Sequence, residues 1–230
     1  IYQKIHNFCV VDLGGFYLDI IKDRLYTTPA SSAARRSAQT AMYHITEAMV
    51  RWLAPILSFT AEEIWHAMPG TRAASVMLAV WHPLPEPPGS EVDWELFGAL
   101  KADVARELEL LRVAGTIGAP LEAEVDIYCT AQDIVKLSGL GDELRFVLIT
   151  SAARVHVVDQ PPLGSTGASA TVAKGGASGG VWLQVTATDK SKCVRCWHKR
   201  ADVGTVTAHP ELCARCASNI DGPGEQRRFA

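Results

Sequence analysis

Four of the six cysteines fall within a twenty-four-residue window as Cys193-x2-Cys196-x16-Cys213-x2-Cys216, while Cys9 and Cys129 stand alone. Each C-x2-C pair can fold as one tight knuckle, and two knuckles together complete a tetrahedron of thiolates around zinc. Two disulfides are the alternative, which a reducing cytosol disfavours. His198 and His209 lie nearby, but four thiolates already close the shell. A closed shell has no place for substrate, so the spacing predicts one structural Zn2+. A stand-alone zinc enzyme would need an open ligand position or an activated water beside a general base.

The second chemical feature is the distribution of charge. The 230 residues carry a net charge of −3. Residues 1–90 hold seven basic and seven acidic side chains, 91–188 seven and thirteen, and 189–230 eight and five. The basic end is therefore the cysteine segment. A polyanion responds to such a local patch and not to the sum, although a near-neutral mean argues against non-specific coating of DNA. With 48% hydrophobic residues the chain can bury an ordinary core, which rules out disorder throughout. No apolar run is long enough for a membrane helix and no export signal is visible, so a cytoplasmic protein without a membrane partner is expected. The chain opens without methionine on Ile1-Tyr2-Gln3, inside an apolar helical pattern, as a piece of a longer chain would.

The elements that must position these groups follow from periodicity. Apolar residues from Ile1 to Ile21 recur at steps of three and four, one face of a helix. Gly14-Gly15 weakens that helix by roughly 1 kcal/mol per glycine, which suggests close packing of a neighbouring helix. Ser31 and Ser32 can cap a second helix running to Pro55, and Thr60 with Glu63 forms a capping box for a short third one. Residues 71–89, rich in proline, read as an extended strap. Asp93 opens another long helix that Gly115 closes, and Glu122 to Cys129 alternates as a half-buried strand. Thr130 with Asp133 can start a short helix, and Val155 and Val157 belong to a further strand. Residues 159–180 have the composition of a linker or mobile loop. After it Val181, Leu183 and Val185 share one strand face and Trp182 and Gln184 the other. The expected fold class is α+β and multidomain. A helical bundle occupies 1–89, a small α+β junction domain 90–158, the linker 159–180 and a zinc ribbon 181–230.

Lys192-Cys193-Val194-Arg195-Cys196-Trp197-His198, the later Asp202-Val203-Gly204, and His209-Pro210-Glu211-Leu212-Cys213-Ala214-Arg215-Cys216 resemble the C-terminal zinc segment of bacterial isoleucyl-tRNA synthetases. Phe16-Tyr17-Leu18-Asp19-Ile20-Ile21-Lys22-Asp23-Arg24-Leu25-Tyr26 and Pro55-Ile56-Leu57-Ser58-Phe59-Thr60-Ala61-Glu62-Glu63-Ile64-Trp65 are similar to stretches of that family's anticodon-binding domain. Ile117 to Ala123 is similar to its turn after the long helix, with Pro120 a departure. The resemblance implies a class I synthetase that couples isoleucine to tRNA(Ile) with ATP and Mg2+. It also implies that the chemistry resides in catalytic and editing domains outside this chain, since the two ATP-handling signatures are absent from it. What remains is the part that grips tRNA, expected as a monomer.

With the resemblance, Lys22, Arg24, Trp182, Arg195, Lys199, Arg200, Arg227 and Arg228 become the candidate RNA contacts. Each has a duller alternative. Lys22 and Arg24 at a helix C-terminus also favour the helix dipole. Trp182 can stack on a base or pack as structure. The cations around the knuckles can meet phosphates or balance the negative charge of four thiolates on one zinc. Trp197 is expected to shield the metal cluster. The competing function is a zinc ribbon that docks protein without RNA, for which an exposed apolar patch is required.

Overall fold

In the computed structural model, which describes residues 1–86, 89, 92–168 and 180–229, the first apolar pattern winds into one continuous helical run. It comprises α1 (Tyr2–Asn7), a π-wound stretch (Phe8–Leu18) and α2 (Asp19–Thr27). A Cβ at Gly14 would lie 3.0 Å from the Cys9 carbonyl oxygen, and one at Gly15 3.1 Å from that of Val10. The wider π winding presses the carbonyl five residues back against each position, and no other helix comes within 4 Å. These glycines therefore serve their own helix, not the neighbouring helix that the sequence suggests. Two compact units follow from the contacts, Arg35–Gly89 and a larger one of Ile1–Ala34 with Ser90–Ala230.

The smaller unit contains most of α3 (Ala33–Leu53) and α4 (Ser58–Ala67). Val50 of α3 and Ala54 just beyond its end pack with Ala61, Trp65 and Val76. The expected capping box does not form. The helix starts ahead of Thr60, because the Leu57 carbonyl accepts the Ala61 N–H and the Ser58 hydroxyl donates back to Ala54 O. Glu47, 3% exposed, accepts from Arg51 at 2.5 Å and Arg72 at 2.6 Å, and both guanidinium groups lie 4.8 Å from the Trp65 ring centroid. Among its described residues the strap carries a 3-10 turn at Val76–Leu78, with Ser75 and Ala79 extended on either side. Arg51 Nε donates to Val80 O at 2.7 Å, and His44 and His82 share a 2.9 Å hydrogen bond. Pro87 and Pro88 lie outside the described residues.

The larger unit is built on α5 (Trp94–Val113), whose first turn is capped by Asp93, the Leu96 N–H donating to its carboxylate at 3.0 Å. Beyond it come β1 (Ala123–Cys129), α6 (Ile134–Leu137), α7 (Leu144–Leu148), β2 (Ala152–Val157), β3 (Thr166–Gly167), β4 (Val181–Ala187) and α8 (Ala214–Asp221). The strands form one sheet in the order β2-β1-β4-β3, with β1 parallel to β2 and antiparallel to β4. Ala123, Val125, Ile127 and Cys129 are all 0% exposed, as the alternation predicts, and share a core with Phe97, Leu100, Val104, Leu144 and Val147.

The sequence pattern and the contacts divide the chain differently. Strand β4, grouped by sequence with the ribbon, pairs with β1 from Ala123↔Ala187 to Cys129↔Val181. Thr166 and Gly167, inside the expected linker, pair with Leu183 and Trp182, because the far edge of β4 still has backbone groups to satisfy. Residues 169–179 of that linker lie outside the described residues. The five residues of α7 are too short to show a period, and the sequence reading passes over them. Among the described residues no helix is long and apolar enough to cross a membrane.

Candidate RNA interface and metal centre

The Sγ atoms of Cys193, Cys196, Cys213 and Cys216 lie within 4.8 Å of one another, and all four residues are buried. The Cys196 and Cys213 sulfurs are 3.8 Å apart, which matches the edge of a tetrahedron with Zn–S bonds of about 2.3 Å. Hydrogen bonds from Cys196 and Cys216 hold the Cys213 thiol well below its ordinary range. The same contacts, led by Cys196, push Cys216 up. Sulfurs packed this closely shed all their protons only when a cation replaces them, so the donor set fits zinc. Zinc would cross-link the two knuckles, and no ligand position is left over for catalysis. Cys129 lies in the sheet core, where burial raises its thiol pKa, and Cys9 is on the first helical run.

Each knuckle turns sharply. In the first, the Cys193 N–H donates to His198 O and the Trp197 N–H to Cys193 O, with Trp197 at φ 66°. This left-handed residue swings the indole outward, and it is 62% exposed. Trp197 therefore does not shield the metal, which is the role the sequence suggests. His198 turns inward instead and stacks edge-on against Phe146, where burial lowers its pKa to about 4 and keeps it neutral.

Beside the first knuckle is a cleft of about 410 Å3 between α2, the turn before β1 and the end of α7. Leu121 and Ile149 contribute to its apolar wall. Lys22, Tyr26, Arg195 and Trp197 also line it, so two cations and two aromatics from opposite ends of the chain meet there. Lys22 is exposed and holds Asp19 at 2.9 Å, and Tyr26 is 75% exposed.

Comparison with known proteins decides the family. A profile for the anticodon-binding domain of tRNA ligase matches residues 1–127, and one for a zinc finger found in FPG and IleRS matches residues 190–219. The chain belongs to the family of tRNA-ligase anticodon-binding domains. It is 54% identical to the isoleucine-tRNA ligases of Halorhodospira halophila and Alkalilimnicola ehrlichii along its full length. The same identity holds against the Pseudomonas putida enzyme. In each case the chain spans 24% of the relative's length.

Within this anticodon-binding family member the predicted contacts separate. Lys22 and Arg195 meet at the cleft. Arg195 is nevertheless turned to the end of α2, donating to Thr27 O at 2.6 Å. Arg24 is buried and its Nε and Nη2 have no partner, so it offers nothing at the surface. Burial lowers its pKa first, with the Arg227 charge next. Helical phase explains the correction, since Arg24 is on the same inward side of α2 as Ile20 and Ile21. Arg227 is also withdrawn from the surface, its side chain 1% exposed and paired with Asp23. Lys199 donates to Thr188 O at 3.0 Å and Arg200 to Asp202 at 3.1 Å, both half-buried. Arg228 is exposed with its guanidinium over the Phe229 ring.

Trp182 lies elsewhere, on the outer sheet face opposite Tyr128, its ring folded against Gly180, where a Cβ would approach it to 2.2 Å. On that face Arg154 bridges Asp126 and Glu124, and Lys190 holds Glu124 at 2.6 Å. Tyr26 and Trp197 also line the cleft with exposed rings, and neither is among the RNA contacts that the sequence suggests. The usable signal was an aromatic directly after a C-x2-C pair, where the knuckle must reverse and push it out.

Proposed function

We propose that this chain is the tRNA-gripping part of an isoleucine-tRNA ligase, holding the anticodon stem-loop of tRNA(Ile) while catalytic and editing domains elsewhere in the protein use ATP and Mg2+. The observation that carries the reading is the cleft where Lys22 and Arg195 meet the exposed rings of Tyr26 and Trp197. An unpaired base gains roughly 1–3 kcal/mol by stacking on such a ring, and a nearby ammonium holds the adjoining phosphate. Zinc, held by Cys193, Cys196, Cys213 and Cys216, keeps the Trp197 turn in shape. Lys199, Arg200 and Arg228 add positive potential along the knuckles, and Trp182 offers a separate stacking surface. The ligase works as a cytoplasmic monomer in this reading, with the helices of 1–89 serving anticodon binding, 90–158 together with β4 forming the junction domain, and the segment after β4 forming the zinc knuckles.

Titration of the complete ligase with tRNA(Ile) at several salt concentrations tests the assignment. Lys22→Ala should weaken binding and reduce the slope of log affinity against log salt by about one contact. Trp197→Ala should weaken binding with the slope unchanged, and Trp182→Ala should do the same to a smaller extent. If Lys22→Ala and Trp197→Ala both bind like the parent with zinc retained, the cleft is not the RNA site. If Trp182→Ala alone is silent, that tryptophan is structural.

A further inference from the structure

The two knuckles carry the same extra residue. Each has arginine immediately before its second cysteine, as Cys193-Val194-Arg195-Cys196 and Cys213-Ala214-Arg215-Cys216. Both guanidinium groups are engaged by α2, Arg215 buried and Arg195 half-exposed at the cleft. Arg195 donates through Nη1 to Thr27 O at 2.6 Å and through Nη2 to Tyr26 O at 3.5 Å, two of the carbonyls that a helix C-terminus leaves without intrahelical partners. Arg215, its side chain 8% exposed, grips both oxygens of Asp23 at 2.7 and 2.8 Å and also reaches Glu225 at 3.0 Å. Arg227 closes the other side of Asp23. The last turn of α2 is thus held by both knuckles, through arms that each sit one residue from a zinc-ligating sulfur.

We infer that Arg195 and Arg215 are positioning residues that lock the end of α2 onto the metal knuckles and thereby set the spacing between Lys22 and Tyr26 on one wall of the cleft and Trp197 on the other. The inference rests on the reading of that cleft as an RNA site. Lys22 directly precedes Asp23, Tyr26 directly precedes Thr27, and Trp197 directly follows Cys196. A bidentate guanidinium-carboxylate bridge fixes orientation as well as distance, which a single lysine contact does not. The metal holds each cysteine, the adjoining arginine follows, and the RNA-facing wall moves only if both arms let go. Arg195 and Arg215 in this arrangement influence tRNA affinity without touching tRNA.

The test uses the complete ligase with Asp23→Asn, Arg215→Gln and their double variant, and Arg195→Gln beside Arg195→Lys. Asp23→Asn and Arg215→Gln should each weaken tRNA(Ile) binding about tenfold, the loss expected for a charge-assisted hydrogen bond. The double variant should bind no more weakly than the worse single one, because both break the same bridge. Arg195→Lys should recover part of what Arg195→Gln loses, since an ammonium can still cap Thr27 O. In Asp23→Asn and Arg215→Gln zinc should remain at one per chain, isoleucine activation without tRNA should be unchanged, and the salt slope should keep its parental value. Four results overturn the inference: unchanged affinity, additive losses in the double variant, a salt slope lowered by about one contact, which would mark direct phosphate contact, or loss of zinc. Lys22→Ala run alongside separates the two levels. If it weakens binding while Asp23→Asn and Arg215→Gln do not, the lock fails alone; if all are silent, the cleft reading fails.

Discussion

Two carboxylates in this protein are held in the same way and do different work. Glu47 accepts from Arg51 and Arg72, both over the Trp65 ring, while Asp23 accepts from Arg215 and Arg227, both over the Phe146 ring. Burial alone would raise both acids, yet the arginines outweigh it and hold Glu47 at about 2 and Asp23 well below the usual carboxylate range. The Glu47 knot gathers residues between positions 47 and 72, and among the described residues the cluster suited to a metal is the four-cysteine one and not this. The Asp23 knot joins α2 to a helix about 190 residues away whose N-cap is Cys213, one of the four clustered cysteines. Identical local chemistry thus stabilises one unit from within and, in the other, ties a helix end to a metal site. The first needs only the chain to fold, whereas the second is expected to depend on zinc as well.

The largest expected effect separates the two knots by removing that metal. Cys213→Ser, or exhaustive chelation, should abolish zinc binding and raise hydrogen exchange in α8 and the last turn of α2. Exchange in α3 and α4 should stay as it was, and Cys129→Ser should keep its zinc. Full zinc retention in Cys213→Ser, or equal loosening of both knots, would break the comparison.

A smaller effect is expected from Glu47→Gln. Removing one charge from a buried, hydrogen-bonded ion cluster costs about 3 kcal/mol, because two guanidinium groups are left without their anion. Urea unfolding of the variant should show the loss with zinc content unaltered. A change below about 1 kcal/mol would mean that the cation-π contacts with Trp65 carry the knot instead.

The smallest effect lies in acid. The folded chain holds Glu47 at about 2 against an ordinary 4.5, so the unfolded state binds its proton more readily. The stabilisation from Glu47 is complete above that ordinary value and declines as pH falls toward the folded one. Hydrogen exchange in α3 and α4 should follow that window. The Asp23 knot should open at higher pH than its own carboxylate requires, since protons compete with zinc for the thiolates. If exchange in α8 stays protected after α3 has opened, zinc is not what limits the Asp23 knot.

Much of this was legible from residue order, and the misses have identifiable causes. The strand face of Ala123, Val125, Ile127 and Cys129 and the start of the long helix at Asp93 were readable because period is local. The capping box at Thr60 misled because Ser58 found a better acceptor one turn back. Arg24 and Arg227 read as surface cations because charge is usually solvated, but tertiary packing drew both inward. Trp197 read as a shield because a knuckle's handedness is invisible in the sequence.

By itself the sequence determined the spacing of four cysteines that suits zinc, the helical and strand periods, the basic C-terminal segment and the likeness to isoleucyl-tRNA synthetases. Those properties depend on residue type and on spacings of a few residues, which local backbone geometry converts directly into structure. Only the tertiary structure decided that β4 belongs beside β1, and that Arg195 and Arg215 face α2 instead of solvent. It also decided that Lys22 and Trp197 share one cleft. These are pairings across more than fifty residues, selected by which buried donors and acceptors can be satisfied together once the whole core has closed.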